Sequence, residues 1–186
     1  MEVDNFIDEL MRPLFEVLNE TGHAGHCILS ASVLDRVFSE VGVSSEPAGI
    51  DYAVMNPTAT RHVKSGGGLD SMPEGGYVAK TGTGESGMYD HHVVTLVPSG
   101  GTATLIDPSI IRVEQSVPGV QMQMIIMDDL SYPPPPEKTL EVNDCFVIYN
   151  FGSEVADFRE NDQWGSELAE EKATEVINRL GVYFWL

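Results

Sequence analysis

The stretch GHAGHCILSASVLDRVFSEVG, residues 22 to 42, decides how the rest of the chain can be interpreted. A loop of glycine and histidine gives way at Cys27 to apolar residues at helical spacing, and Gly42 is a typical residue at a helix end. The apolar positions are Ile28, Leu29, Val33, Leu34, Val37 and Phe38. Because they form a wide apolar face, they predict a buried central helix from Cys27 to about Val41 that begins with a thiol.

A thiol at the first turn of a helix lies near unpaired backbone N–H groups and the positive end of the helix dipole. Both favour the thiolate, which is the form that attacks carbonyl groups. A lone Cys27 on a helix is more often a core residue, since cysteine is among the most buried residue types. Its interpretation therefore depends on which residues follow it.

A histidine and an aspartate follow on two predicted strands joined by a short turn. The sequence predicts strands at 91–97 and 102–106 with a turn at 98–101, and His92 precedes Asp107 by 15 positions. Folding of this hairpin would bring His92 and Asp107 near one end of it. Cys27, His92 and Asp107 then form a predicted catalytic triad of nucleophile, base and orienting acid. Backbone N–H groups at Cys27 and in the loop before it are the expected oxyanion donors.

The doublet His91-His92 leaves the choice of base open, because neighbouring side chains on a strand point to opposite faces. Only one of the two can face Cys27. We favour His92, whose spacing to Asp107 suits the hairpin better, and expect His91 to point outward or to support the site.

Composition predicts one globular domain over residues 1–186, of which 42% are hydrophobic. The formal net charge of −19 disfavours binding to nucleic acids and to anionic membranes. We find neither a secretory signal pattern nor an apolar run long enough for a bilayer, so we expect a cytoplasmic protein. Cys27 and Cys145 are then expected to be reduced, and Cys145, inside an apolar strand, to be inert.

The remaining elements follow from periodicity and turn signals. We expect helices over 3–19, with a kink at Pro13, and over 163–180. Strands are expected over 48–55, 110–117, 120–127 and 139–149. The connections include a glycine-rich loop over about 64–90 and an exposed segment at 133–136, and the terminal segment 182–186 is expected to dock on the core.

Two alternative sites compete with the triad. His23, His26, Cys27 and one of the paired histidines include zinc ligands, but their spacing lacks the paired-knuckle pattern of structural zinc sites. The string GTGESG, residues 82–87, fits a dinucleotide glycine pattern without the strand and helix that the pattern requires. We therefore expect neither a metal nor a cofactor.

Three segments together resemble the transglutaminase-like branch of the papain-like cysteine enzymes. They are Gly25-His26-Cys27-Ile28 at a helix start, His92-Val93-Val94-Thr95-Leu96-Val97 as a strand, and Leu105-Ile106-Asp107-Pro108-Ser109 on the next. The resemblance covers about residues 22–112 and extends to transglutaminase-like proteins of bacteria and their phages. It implies an α+β fold with the cysteine helix packed on an antiparallel sheet, and it maps nucleophile, base and acid to Cys27, His92 and Asp107.

The resemblance implies a thiol-dependent hydrolase, such as a peptidase, amidase or isopeptidase, acting on a protein or peptide through an acyl-thioenzyme. Acyl transfer or crosslinking by the same thioester is the alternative chemistry, and a non-catalytic protein-binding module on the same fold is the alternative class. Ile28 and Val94 stand where the family commonly has aromatic residues. Substrate preference is therefore not carried over from the family, and the oligomeric state is left open.

Overall fold

The computed structural model describes residues 3–20, 22, 26–81 and 91–181. These residues form four α-helices: α1 (Val3–Glu20), α2 (Cys27–Glu40), α3 (Pro57–Lys64) and α4 (Glu167–Leu180). The strands are β1 (Glu46–Met55), β2 (Val78–Lys80), β3 (His92–Ser99), β4 (Thr102–Asp107), β5 (Ile125–Ser131), β6 (Glu137–Val142) and β7 (Cys145–Asn150). Helices and an antiparallel sheet occur together, as expected for an α+β chain.

The strands form one antiparallel sheet in the order β5-β4-β3-β1-β7-β6, with β2 paired to β1. The long strand β1 joins two parts of it. Its residues 46–50 pair with the β3-β4-β5 meander, and its residues 51–55 pair with the β6-β7 hairpin. The change of partner falls between Ile50, opposite His92, and Asp51, opposite Asn150. The predicted site therefore lies where the two parts of the sheet meet.

Helices α1, α2 and α4 pack together and cover one face of the sheet. Their shared core includes Leu14, Leu29, Leu34 and Phe38, all fully buried. The other face carries a second core built from β1, β3, β4, β7 and the segment around Val113. Helix α2 is buried along most of its length, which fixes the position of its first residue, Cys27.

Several sequence predictions are confirmed by these bounds. Helix α2 begins at Cys27 and ends before Gly42, whose φ of 71° suits glycine. Strand β1 ends at Met55, ahead of Pro57. Helix α1 is one element with Pro13 inside it. Helix α4 begins at Glu167, later than the predicted start at 163, because Ser166 caps it by accepting from the Ala169 N–H.

Other predictions are wrong. Residues 110–115 form a 3₁₀ helix (Ile110–Gln115) and not a strand, and the next strand begins at Ile125, later than the predicted start at 120. The predicted strand 139–149 is a hairpin with a turn at Asn143 and Asp144, which both have positive φ.

The predicted loop 64–90 contains a 3₁₀ turn (Leu69–Ser71) and strand β2, and residues 82–90 lie outside the described part of the chain. The expected docking of 182–186 also lies outside it. Among the described helices, none is both long and apolar enough to cross a bilayer.

Candidate active site

The structure brings Cys27, His92 and Asp107 together from three different elements. Cys27 is the first residue of α2, His92 the first residue of β3, and Asp107 the last residue of β4. Helix α2 packs against β3, and Ile28 and Ala31 form a small cluster with the strand. Each functional side chain thus lies at an element end that is held by buried neighbours.

The Cys27 thiol is partly exposed and hydrogen-bonded to the imidazole of His92. Burial raises the pKa of this thiol, but the His92 hydrogen bond, the positive charge of that imidazole and a hydrogen bond from the Val93 backbone N–H outweigh it. The pKa of Cys27 is therefore lowered, which favours the thiolate.

The His92 ring is buried, with only 5% of the residue exposed. Its Nε2 lies 2.9 Å from both carboxylate oxygens of Asp107, which leaves Nδ1 to face the thiol. Burial lowers the pKa of His92, but the charge of Asp107 and its hydrogen bond dominate, with a further contribution from Cys27, and raise the pKa to about 10. The two shifts together favour a thiolate beside an imidazolium over the neutral pair.

Asp107 has no exposed surface and stays charged because donors surround it. Besides His92, it accepts from the Ser109 N–H at 3.2 Å, the Ser109 hydroxyl at 3.1 Å, the Ile110 N–H at 3.1 Å and the Tyr149 hydroxyl at 2.9 Å. Burial raises the pKa of Asp107, but the charge of His92 and these hydrogen bonds lower it below its ordinary value.

The sequence analysis missed two tyrosines of the site. Tyr149 on β7 donates to Asp107, and Tyr52 on β1 meets His92 edge to face, with ring centroids 4.7 Å apart. The two tyrosines are directly opposite each other across the β1-β7 ladder. Their closeness to the triad follows only from this register, which joins segments about a hundred residues apart. The one local signal is weak: Cys145 and Tyr149 alternate onto the buried face of β7.

His91 is placed away from the triad, as the strand alternation predicts. Its Nδ1 lies 2.7 Å from Asp51, the next residue along β1 after the one opposite His92. Asp51 also accepts from Thr81 at 3.4 Å. The doublet thus divides into two histidine–aspartate pairs, and His92 is the one beside Cys27.

The other candidate residues lie as follows. His26 precedes α2 and its Nδ1 is 3.3 Å from the side-chain amide of Gln163. The expected oxyanion donor lies in the loop 22–26, of which residues 23–25 are outside the described part of the chain. Cys145 is fully buried, and burial raises the pKa of its thiol. His23 is not described, and the described His, Cys, Asp and Glu residues form no cluster able to hold a metal ion.

Chemically, the arrangement places a thiol beside an imidazole, with a buried carboxylate that orients the ring. Comparison of the chain with protein-family models, with curated proteins and with solved structures gave no match. The functional argument therefore depends on the geometry of the site.

Proposed function

We propose that the chain is a cysteine hydrolase of the papain-like, transglutaminase-like type that cleaves an amide bond in a protein or peptide. The observation that supports this best is the continuous chain of contacts from the partly exposed Cys27 thiol through the His92 imidazole to the buried Asp107 carboxylate. A nucleophile, a base and an orienting group linked in this order are the minimum for acyl transfer through a thioester.

In the first half-reaction the Cys27 thiolate attacks the amide carbonyl and forms a carbon–sulfur bond. The carbon–nitrogen bond then breaks, and the His92 imidazolium gives its proton to the leaving amine. In the second half, neutral His92 takes a proton from water, whose oxygen attacks the thioester. A carboxylic acid leaves, and Cys27 and His92 return to the thiolate–imidazolium pair.

Asp107 contributes by holding the ring and stabilising its positive charge. Its two oxygens fix Nε2, so the proton that is transferred is the one on Nδ1, beside the thiol. Tyr52 packs against the ring from β1 and limits its rotation. The fold around these groups, with the cysteine helix on an antiparallel sheet, supports the papain-like assignment.

Alkylation of the native protein by iodoacetamide tests this proposal without a known substrate. The rate at Cys27 is measured from pH 5 to 9 by peptide mass spectrometry, with buried Cys145 as the reference thiol. We expect fast labelling of Cys27 well below pH 8, because the imidazolium stabilises the thiolate. His92→Ala should shift the onset of labelling towards the ordinary thiol pKa of about 8.5.

His91→Ala is the matched control, since it removes the neighbouring imidazole and leaves the triad intact. Its pH profile should stay close to that of the unmodified chain. Cys27 labelling no faster than that of an ordinary thiol, or labelling only after unfolding, would refute the hydrolase and favour a binding module. An effect of His91→Ala as large as that of His92→Ala would reassign the base.

A further inference from the structure

A cleft among the described residues has a volume of about 610 Å³, which is within the usual range of ligand sites. One wall is the last part of α1, with Phe15 and Asn19, and the other is the 3₁₀ helix Ile110–Gln115. Met122 and Met124 complete the apolar lining. The cleft is therefore lined by four apolar and five polar side chains.

None of the triad residues lines the cleft, but two of its lining segments are close to triad residues along the chain. Gly22, at one end, belongs to the loop that runs into Cys27. The 3₁₀ helix begins directly after the turn in which Asp107 accepts from Ser109. The lining of the cleft thus includes one residue of the loop before Cys27 and residues of the 3₁₀ helix that follows Asp107.

Arg112 on that 3₁₀ helix is exposed and lines the cleft. Its guanidinium has no ion pair or hydrogen bond with any residue that the structure describes. Four of the other arginines pair with carboxylates, for example Arg36 with Glu40 at 3.0 Å and Arg179 with Glu20 at 2.6 Å, whereas Arg61 donates to the Pro57 carbonyl. In a chain of net charge −19, an arginine without a carboxylate partner is conspicuous.

Two further contacts define the charge of this cleft. Glu114, the acidic residue on its wall, accepts the Met122 backbone N–H at 2.6 Å and is held to the wall by that bond. Burial and the charges of Asp107 and Cys27 raise the pKa of the Tyr52 phenol, and the charge of Arg112 lowers it. Arg112 therefore brings a positive charge with free donors to the wall of the cleft.

We propose that the cleft binds an acidic peptide as the acyl-donor substrate, with Arg112 pairing to a carboxylate of that peptide close to the bond that is cleaved. The proposal rests on the hydrolase function proposed above. Guanidinium and carboxylate match each other in geometry through paired N–H donors. Phe15 and the two methionines would contact the apolar part of the peptide.

The test uses capped tripeptide vinyl sulfones, which trap a reactive thiol. One set carries Glu at the first, second or third position from the sulfone, and a matched set carries Gln there. We expect the Glu probe to label Cys27 about tenfold faster than its Gln counterpart at one position, as one charge-assisted contact provides. Arg112→Gln should abolish this preference, so that the Glu and Gln probes label Cys27 at equal rates.

Arg12→Gln is the control, because it removes the same charge from an exposed helix surface and should keep the preference. Equal rates for Glu and Gln probes at every position, or a preference that survives Arg112→Gln, would overturn the proposal. Iodoacetamide labelling reports separately whether Cys27 is activated. Calorimetry then measures how the same peptides, without the sulfone, bind to Cys27→Ala and to Cys27→Ala/Arg112→Gln. This tests whether Arg112 binds the acidic peptide even if the thiol is inert.

Discussion

At the scale of single residues, Asp107 determines the charge of the whole site. It has no contact with solvent, and its negative charge is the largest influence that raises the pKa of His92. His92 in turn lowers the pKa of Cys27. The pKa of Cys27 is thus coupled, through His92, to a carboxylate that has no contact with solvent.

Replacement of this carboxylate should destabilise the fold in a way that depends on pH. Because the pKa of Asp107 is lowered in the fold, its contribution to stability is complete above about pH 4 and is lost as pH falls through the native pKa. Because the pKa of His92 is raised, its contribution is complete below about pH 6.5 and is lost as pH rises towards 10. We expect Asp107→Asn to lower the free energy of unfolding by about 3 kcal/mol between these limits and by less outside them. Urea unfolding from pH 3 to 10 measures this.

Asp51→Asn is the matched control, because it breaks the equivalent pair with His91 at a position that is more exposed. It should cost less than about 1 kcal/mol, as exposed ion pairs do. A loss from Asp107→Asn that is the same at every pH would show that shape, and not the ion pair, explains the effect.

The chemistry-bearing residues of the site could be predicted from the sequence because each has a local signal. Cys27 opens an amphipathic helix, and the hairpin spacing relates His92 to Asp107. Tyr52 and Tyr149 could not, since their proximity depends on the pairing of β1 with β7. Arg112 could not either, because its segment has the apolar pattern of a strand and folds as a 3₁₀ helix.

At the scale of elements, the long periodic segments were predictable and the short ones were not. Where the structure differs from the predicted elements, the cause is local. Asp107 accepts two backbone N–H groups from residues 109 and 110, which curls the chain and prevents a strand there. Helix α3 is too short to show a clear period, although its start is typical, with Asn56 as N-cap and Pro57 in the first turn. The same two residues also mark the end of β1, which hides the helix that follows.

Helix α2 offers a test of what its own end contributes. Gly42 has a φ of 71°, and the Val43 N–H after it bonds to the Phe38 carbonyl to close the helix. Gly42→Ala should lower the free energy of unfolding by about 1 to 2 kcal/mol, because a side chain is strained in this conformation. Denaturant unfolding at pH 7 measures the loss.

Gly68→Ala provides the comparison, since Gly68 has a φ of −90° and enough space beside its Cα for a methyl group, and it should be nearly neutral. In folded Gly42→Ala protein, iodoacetamide should label Cys27 at an unchanged rate, because the strain is at the opposite end of the helix. Similar losses for both glycines, or a slower thiol, would contradict this.

At the scale of the whole molecule, negative charge is in large excess, and only some of the carboxylates form ion pairs. Arg179 of α4 forms ion pairs with Glu20 of α1 at 2.6 Å and with Glu175 of its own helix at 2.7 Å, and so links these two helices at the surface. Such partly exposed pairs contribute little individually. Repulsion among the remaining carboxylates acts across the entire surface.

Salt should therefore stabilise this protein. Raising NaCl from about 0.01 M to 0.3 M shortens the screening length from about 30 Å to about 6 Å, which weakens long-range repulsion more than close contacts. We expect the thermal midpoint to rise, as followed by circular dichroism. KCl at the same ionic strength should act equally, and a midpoint that falls with salt would show that the surface ion pairs outweigh the repulsion.

Trp164 lies in an informative place. It packs on the same small cluster as Cys27 and meets the Phe158 ring at a centroid distance of 5.0 Å. Indole emission depends on nearby charge, and formation of a thioester replaces a negative sulfur with a neutral one. The other tryptophan, Trp185, lies outside the described residues. In the mechanism proposed above, stopped-flow fluorescence of Trp164 would therefore report the lifetime of the thioester in unlabelled protein.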